Sequence, residues 1–170
     1  MNDYQRREPS ISRLGKFFFV LLGVLAVSGA ACTSPEQTTE EAIAAGLAEL
    51  RAQAEQGDAE AQYNLGFMYE KGQGVPQDDT EAVRWLRLAA EQGDVQAQSN
   101  LGGMYSHGRG VEQDILQAHM WSNLAASGQS GEERKRAVDA RDALEKLMTP
   151  AQLAEAQRLA REWEAAHPRD

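Results

Sequence analysis

Ala61-Gln62-Tyr63-Asn64-Leu65-Gly66-Phe67-Met68-Tyr69 returns as Ala97-Gln98-Ser99-Asn100-Leu101-Gly102-Gly103-Met104-Tyr105, 36 residues further on. The match extends both ways. Laying residues 59–94 on 95–130 gives 17 identities in 36, including Gly72/Gly108, Gly74/Gly110, Val75/Val111, Asp78/Asp114, Ala82/Ala118 and Trp85/Trp121. A fixed period of this length marks stacked supersecondary units, each unable to bury its apolar face alone.

Each unit reads as two helices. Asp58 and Asp94 stand before the first helix, where a carboxylate accepts from free backbone N–H groups. Gly72 and Gly108 stand at its end, where the chain closes through a left-handed residue. Asp78 and Asp114 open the second helix, with Glu81 and Gln117 three residues on in a capping-box pattern. That helix ends near Gly93 in one unit and Gly128 in the other. Gly66, Gly102, Ala82 and Ala118 are small enough for helices to approach closely. Trp85 and Trp121 share one repeat position, which points to packing and not to a ligand box.

Outside the two units, Glu40 to Gln56 reads as one entry helix matching the second half of a unit. Residues 131–167 read as a closing helical hairpin. Ser130 with Glu133 is expected to cap its first arm, and Thr149-Pro150 with Gln152 its second. Leu153, Ala156, Ala160 and Trp163 form an apolar stripe on the last helix. Surface pairs are expected at Glu132–Arg136 and Asp142–Lys146.

The pattern Ala-x-x-x-Leu-Gly-x-x-Tyr, Gly-x-Gly-Val, Asp, Ala-x-x-Trp, Ala-Ala over residues 54–130 resembles the Sel-one-like repeat, a cousin of the tetratricopeptide repeat. The resemblance implies an all-α fold, an α/α solenoid closed by a C-terminal capping helical hairpin. It implies an adaptor or scaffold that binds a protein or peptide on a concave face lined by the first helices. By that resemblance Glu60, Tyr63, Phe67 and Glu70 form the binding stripe of the first unit. Gln96, Ser99, Gly103 and Ser106 supply the second. Asn64 and Asn100 match an asparagine that contacts peptide backbone in some relatives. The spacing of 3, 4 and 3 does place Glu60, Tyr63, Phe67 and Glu70 on one helical face.

The first 31 residues have another character. Arg6, Arg7, Arg13 and Lys16 precede an apolar run, Phe17 to Val27, followed by Ser28-Gly29-Ala30-Ala31-Cys32. A basic region, an apolar core and small residues make a secretory signal. Fifteen residues from Phe17 to Ala31 would span roughly 22 Å as a helix, short of the ~30 Å core of a bilayer. Gly29-Ala30-Ala31-Cys32 resembles the cleavage zone of bacterial lipoproteins, with Gly29 where that family has leucine. The resemblance implies lipidation of Cys32, a membrane anchor, and a periplasm-facing place at the outer membrane. Residues 32–39 are then a polar tether, 40–130 the repeat array and 131–170 the cap.

The full chain carries a net charge of -9. Beyond residue 31 it holds 13 basic and 24 acidic residues, 13 − 24 = −11. That surface repels phosphate backbones, so nucleic acid is excluded as a partner and basic protein segments are favoured. No cofactor motif is present: Gly72-x-Gly74 lacks the third glycine and the preceding strand of a dinucleotide site. His107, His119 and His167 have no metal-ligand spacing, and surface or partly buried roles are expected of them. Ser-x-x-Lys and Lys-Thr-Gly are missing, so no acylation apparatus is expected. The reading is a binding protein and not an enzyme. A purely architectural envelope protein is the alternative, and a cell-wall hydrolase a weaker one.

Overall fold

The computed structural model describes residues 35–168, with side chains from 41 onward. The expected signal and Cys32 lie outside that range. Seven helices follow one another among the described residues, with no strand. They are α1 (Pro35–Glu55), α2 (Ala59–Lys71), α3 (Asp79–Glu91), α4 (Val95–His107), α5 (Ile115–Gly128), α6 (Gly131–Glu145) and α7 (Pro150–Ala166). The entry helix therefore starts at Pro35, and residues 35–39 of the expected tether are helical. Proline is tolerated at a first helical position because its missing N–H has no intrahelical acceptor there.

The caps explain the boundaries. Asp58 accepts from the Ala61 amide and Asp94 from the Ala97 amide, both at 2.7 Å. Gly72 and Gly108 both adopt φ of 65°, and each N–H returns to a methionine carbonyl, Met68 or Met104. A side chain bearing Cβ is strained there, which is why glycine fills both positions. Asp78 and Asp114 each accept from two amides at the start of the second helices. The reciprocal half of that capping box is absent in the first unit, where Glu81 pairs with Arg84. Thr149 and Gln152 form the complete box at α7. Ser130 makes no side-chain cap, contrary to the sequence expectation. Gly131 instead turns the chain with a φ of 58°.

Within a unit the two helices pack closely, α2 with α3 and α4 with α5. Successive units join through α3 on α4 and α5 on α6, with α1 on α2 in the same sense. A Cβ on Gly66 would lie 2.8 Å from Leu86 Cγ, and one on Gly102 would lie 2.8 Å from Ser122 Oγ. These glycines set the inter-helix distance. Leu65, Leu86, Leu101 and Leu124 are fully buried. Each such burial stabilises the fold by about 1.5–3 kcal/mol.

Polar ties repeat with the sequence period. Arg51 donates to the Tyr69 hydroxyl at 3.0 Å, and Arg87 to the Tyr105 hydroxyl at 2.7 Å. Gln62 donates to the Ala54 carbonyl and Gln98 to the Ala90 carbonyl. So α1 takes the place of a second helix from a preceding unit. Its outer face is altered to meet water. Glu49 and Gln53 stand 36 residues before buried Trp85 and Ala89, and they hydrogen-bond each other at 2.9 Å. A polar outer face is what a terminal unit of a solenoid requires.

The other end closes differently. α6 begins 36 residues after α4, in register with it. Val138 occupies the position of Gly66 and Gly102 and packs against the buried Ala125, Ala126 and Ala137. The two arms α6 and α7 make little contact with each other, and both pack on α5. Ala156 and Ala160 are buried, and Trp163 meets Trp121 edge-on at 6.0 Å. The pairs expected on α6 re-form locally: Arg136 binds Glu133, and Asp142 binds Arg141.

Candidate functional site

The stripe expected on α2 splits in two. Tyr63 and Phe67 are half-buried neighbours, their ring centroids 6.1 Å apart and tilted by 33°. Glu60 and Asn64 are exposed beside them. Tyr63 also packs against the buried core of the later helices. Lys71 places its ammonium 5.4 Å from the Phe67 ring centre, in reach of a cation–π attraction.

Glu70 departs from the expected stripe. It is only 8 % exposed and belongs to an internal ion cluster. Lys71 Nζ reaches its Oε1 at 2.7 Å, and Arg109 reaches the same oxygen at 3.2 Å. Arg109 also holds Asp79 through two bonds, at 2.8 and 3.2 Å. The hydrogen bond to Asp79 raises the guanidinium pKa further. The Asn100 amide points to the other Glu70 oxygen at 3.5 Å. The physical reason is burial: a carboxylate out of water needs its charge compensated. Glu70 and Asn100 thus tie the two units together.

On α4 the corresponding surface is small. Gln96 is exposed, Ser99 is half-buried, and a Cβ built on Gly103 would have nothing within 4 Å. Ser106 donates to the Gly103 carbonyl at 2.8 Å. The first-helix surface therefore carries an aromatic pair on α2 and small residues at the matching positions of α4.

Its electrostatics are negative. Burial, then the charges of Asp94, Glu70 and Glu133, push the Tyr63 phenol above its ordinary pKa. Those three carboxylates come from the start of α4, the end of α2 and the first turn of α6. The first helices of three successive positions thus act on one ring.

The histidines do not assemble with this surface. His107 and His167 are exposed, each with Nδ1 on a carbonyl of its own helix. His119, expected at the surface or partly buried, is 1 % exposed, with Nε2 3.2 Å from Glu145. Its counterpart in the first unit, Val83, is buried, and that correspondence was the available signal. The Arg109–Glu70–Asp79 cluster had no signal in the repeat, because Gln73 stands where Arg109 does.

The Sel1 repeat model matches residues 59–94 and 95–130, the same units that the sequence period and the caps delimit. The chain carries two Sel1 repeats. A solved structure of a protective antigen from uropathogenic Escherichia coli strains, displaying an SLR fold, is similar to it. They share 34 % identity at a TM-score of 0.65 over 79 % of this chain and 27 % of that one. A Sel1 repeat protein from Oxalobacter formigenes shares 37 % identity at a TM-score of 0.50, over 60 % of this chain and 28 % of that one. The chain thus spans about a quarter of the length of these structures. No curated protein matches it. Sel1 repeat proteins generally mediate protein–protein interaction, and their scaffold is typically non-catalytic.

Proposed function

We propose that this chain is an exported adaptor of the bacterial cell envelope that binds a protein or peptide on the first-helix surface of its repeats. The observation that carries the reading is the contrast between the units. Buried leucines and alanines repeat (Leu65/Leu101, Ala82/Ala118, Ala89/Ala125), whereas the half-buried pair Tyr63 and Phe67 is replaced by Ser99 and Gly103 in the second unit. A surface used only for stacking has no need of an aromatic pair on one unit alone. Half-exposed aromatics are also the side chains that anchor protein interfaces. The negative surroundings of Tyr63 and the acidic chain favour a basic segment as the occupant.

Export rests on the basic, apolar and small-residue pattern of residues 1–31, and anchorage on Cys32 at its end. Lipidation there would tether the array to the membrane, with several acyl chains giving a stable hold. The periplasmic side of an outer membrane is the place this pattern implies.

The test is capture from envelope extracts by the full chain and by a double variant, Tyr63→Ser with Phe67→Ala, which gives α2 the small surface of α4. The native chain is expected to retain a defined protein that the double variant loses while remaining folded by circular dichroism. Equal capture by both would contradict recognition at this surface and favour a purely architectural role.

A further inference from the structure

The half-buried ring of Phe67 has a cation lying against it. Lys71, one turn further along α2, holds its ammonium 5.4 Å from the ring centre. The same ammonium reaches Glu70 Oε1 at 2.7 Å, and Arg109 reaches that oxygen at 3.2 Å. Two like charges on one acceptor oxygen stand close and repel each other. They are not held alike. Arg109 has a second carboxylate, Asp79, at 2.8 and 3.2 Å. Among the described residues Lys71 meets only Glu70 and the Phe67 ring. Its side chain is 44 % exposed, whereas Glu70 is 8 % exposed. Lys71 can therefore swing into water while Arg109 still compensates the buried carboxylate. The second unit lacks the device, because Gly103, Ser106 and His107 stand where Phe67, Glu70 and Lys71 do.

We infer that Lys71 is a releasable cover on Phe67, which makes this part of the binding face select an uncharged apolar side chain. The inference rests on the reading of the first-helix surface as the binding face, and it specifies what one position of that face takes. An apolar side chain seated on the ring displaces the ammonium into water, where it is fully hydrated. The loss is one exposed cation–π contact and one arm of a shared ion pair. A basic side chain at the same place meets two cations, Lys71 and Arg109, and is turned away. Basic residues of the bound segment are thereby directed to the acidic surface elsewhere. Arg109 acts through Glu70 and is a positioning residue. By holding the Glu70 charge and repelling Lys71, it sets how readily the cover lifts.

The test uses the full chain in a neutral detergent, labelled with para-fluorophenylalanine and observed by fluorine nuclear magnetic resonance. The other phenylalanines are Phe17, Phe18 and Phe19, so Phe67→Leu assigns the Phe67 signal. Broadening by an uncharged gadolinium chelate reads the exposure of the ring with no partner present. Lys71→Ala is expected to raise that broadening about twofold. Arg109→Gln should lower it, because Lys71 becomes the sole cation of Glu70. Asp79→Asn loosens the same clamp but leaves Arg109 to Glu70 alone, so it should raise the broadening. A purely structural clamp would move these last two variants in the same direction. N-acetyl-tryptophan amide, an uncharged aromatic probe, should then shift the Phe67 signal saturably. It should bind about threefold more tightly to Lys71→Ala and about threefold more weakly to Arg109→Gln. Tryptamine, its cationic relative, should bind the native chain more weakly than the neutral probe. Equal broadening in the native chain and all three variants would overturn the inference, as would equal binding of the two probes. Broadening as expected, with no saturable shift in any of the proteins, would instead refute the binding-face reading and the selection with it.

Discussion

The two repeat units share a skeleton and differ in surface. The same caps, the same left-handed glycines and the same arginine–tyrosine and glutamine–carbonyl ties recur 36 residues apart. The turn after the first helix shows how a shared backbone acquires different work. Arg109 in the second unit clamps Asp79 and Glu70 of the first. Gln73, its counterpart, has no such partner to find, because Ile43 of the entry helix stands where Asp79 does. This clamp therefore depends on the unit before, and the first unit lacks it while keeping the Arg51–Tyr69 and Gln62–Ala54 ties. The first-helix face differs too: half-buried Tyr63 and Phe67 of the first unit become Ser99 and Gly103 in the second.

The sharpest way to break this comparison is at the second glycine of each turn. A Cβ on Gly110 would fall 2.0 Å from the Asp79 carbonyl oxygen, whereas one on Gly74 would meet only the Met68 methyl at 3.2 Å. Both residues have positive φ, 65° and 71°. Gly110→Ala is therefore expected to destabilise by about 3 kcal/mol or more, and Gly74→Ala by about 1 kcal/mol. Urea unfolding followed by circular dichroism measures both, and equal costs would deny the clamp between units.

Arg109→Ala comes next. It leaves Glu70 buried with Lys71 as its remaining cation, and should cost about 1–2 kcal/mol. Gln73→Ala should stay within about 0.5 kcal/mol. Unfolding at low and high salt separates the two, since the Arg109 loss should shrink as salt screens the exposed part of the pair.

The smallest effects lie at the ends of the second helices. Gln92 donates to Gln62 Oε1 at 2.7 Å, whereas Gly128 stands at the matching position and Gln98 Oε1 is left without a partner. Gln92→Ala should cost about 1 kcal/mol by orphaning a buried acceptor. Gly128→Ala, in a helical turn without positive φ, should add about 0.5 kcal/mol. Thermal midpoints of the two variants should move in opposite directions.

Most of the fold was legible because the period carried its own caps. Asp58, Gly72, Asp78 and their partners delimit helices by local chemistry, and local chemistry is what a sequence displays. The misreadings share a cause. Glu70 reads as part of an open stripe because its cation, Arg109, is 39 residues away at a position where the repeat varies. Ser130 reads as a cap because it stands where such a residue opens a helix elsewhere in the chain. The left-handed turn lies at Gly131 itself, and the geometry a cap needs is lost with it. The closing hairpin reads correctly as two helices sealing the array, and both arms pack on α5. For the candidate face, spacing alone placed Glu60, Tyr63 and Phe67 together. The carboxylate from α6 near Tyr63 needed the stacking of three helices.

The central claim is that the divergent aromatic face receives a protein partner. Photo-crosslinking in the living envelope tests it most directly, with a photoreactive residue at Phe67 and, as control, at Arg158 on the far helix α7. The account predicts a discrete adduct from position 67, identifiable by mass spectrometry, and none from position 158. Exported, folded protein that gives no adduct at 67, or the same adduct from both positions, would contradict it.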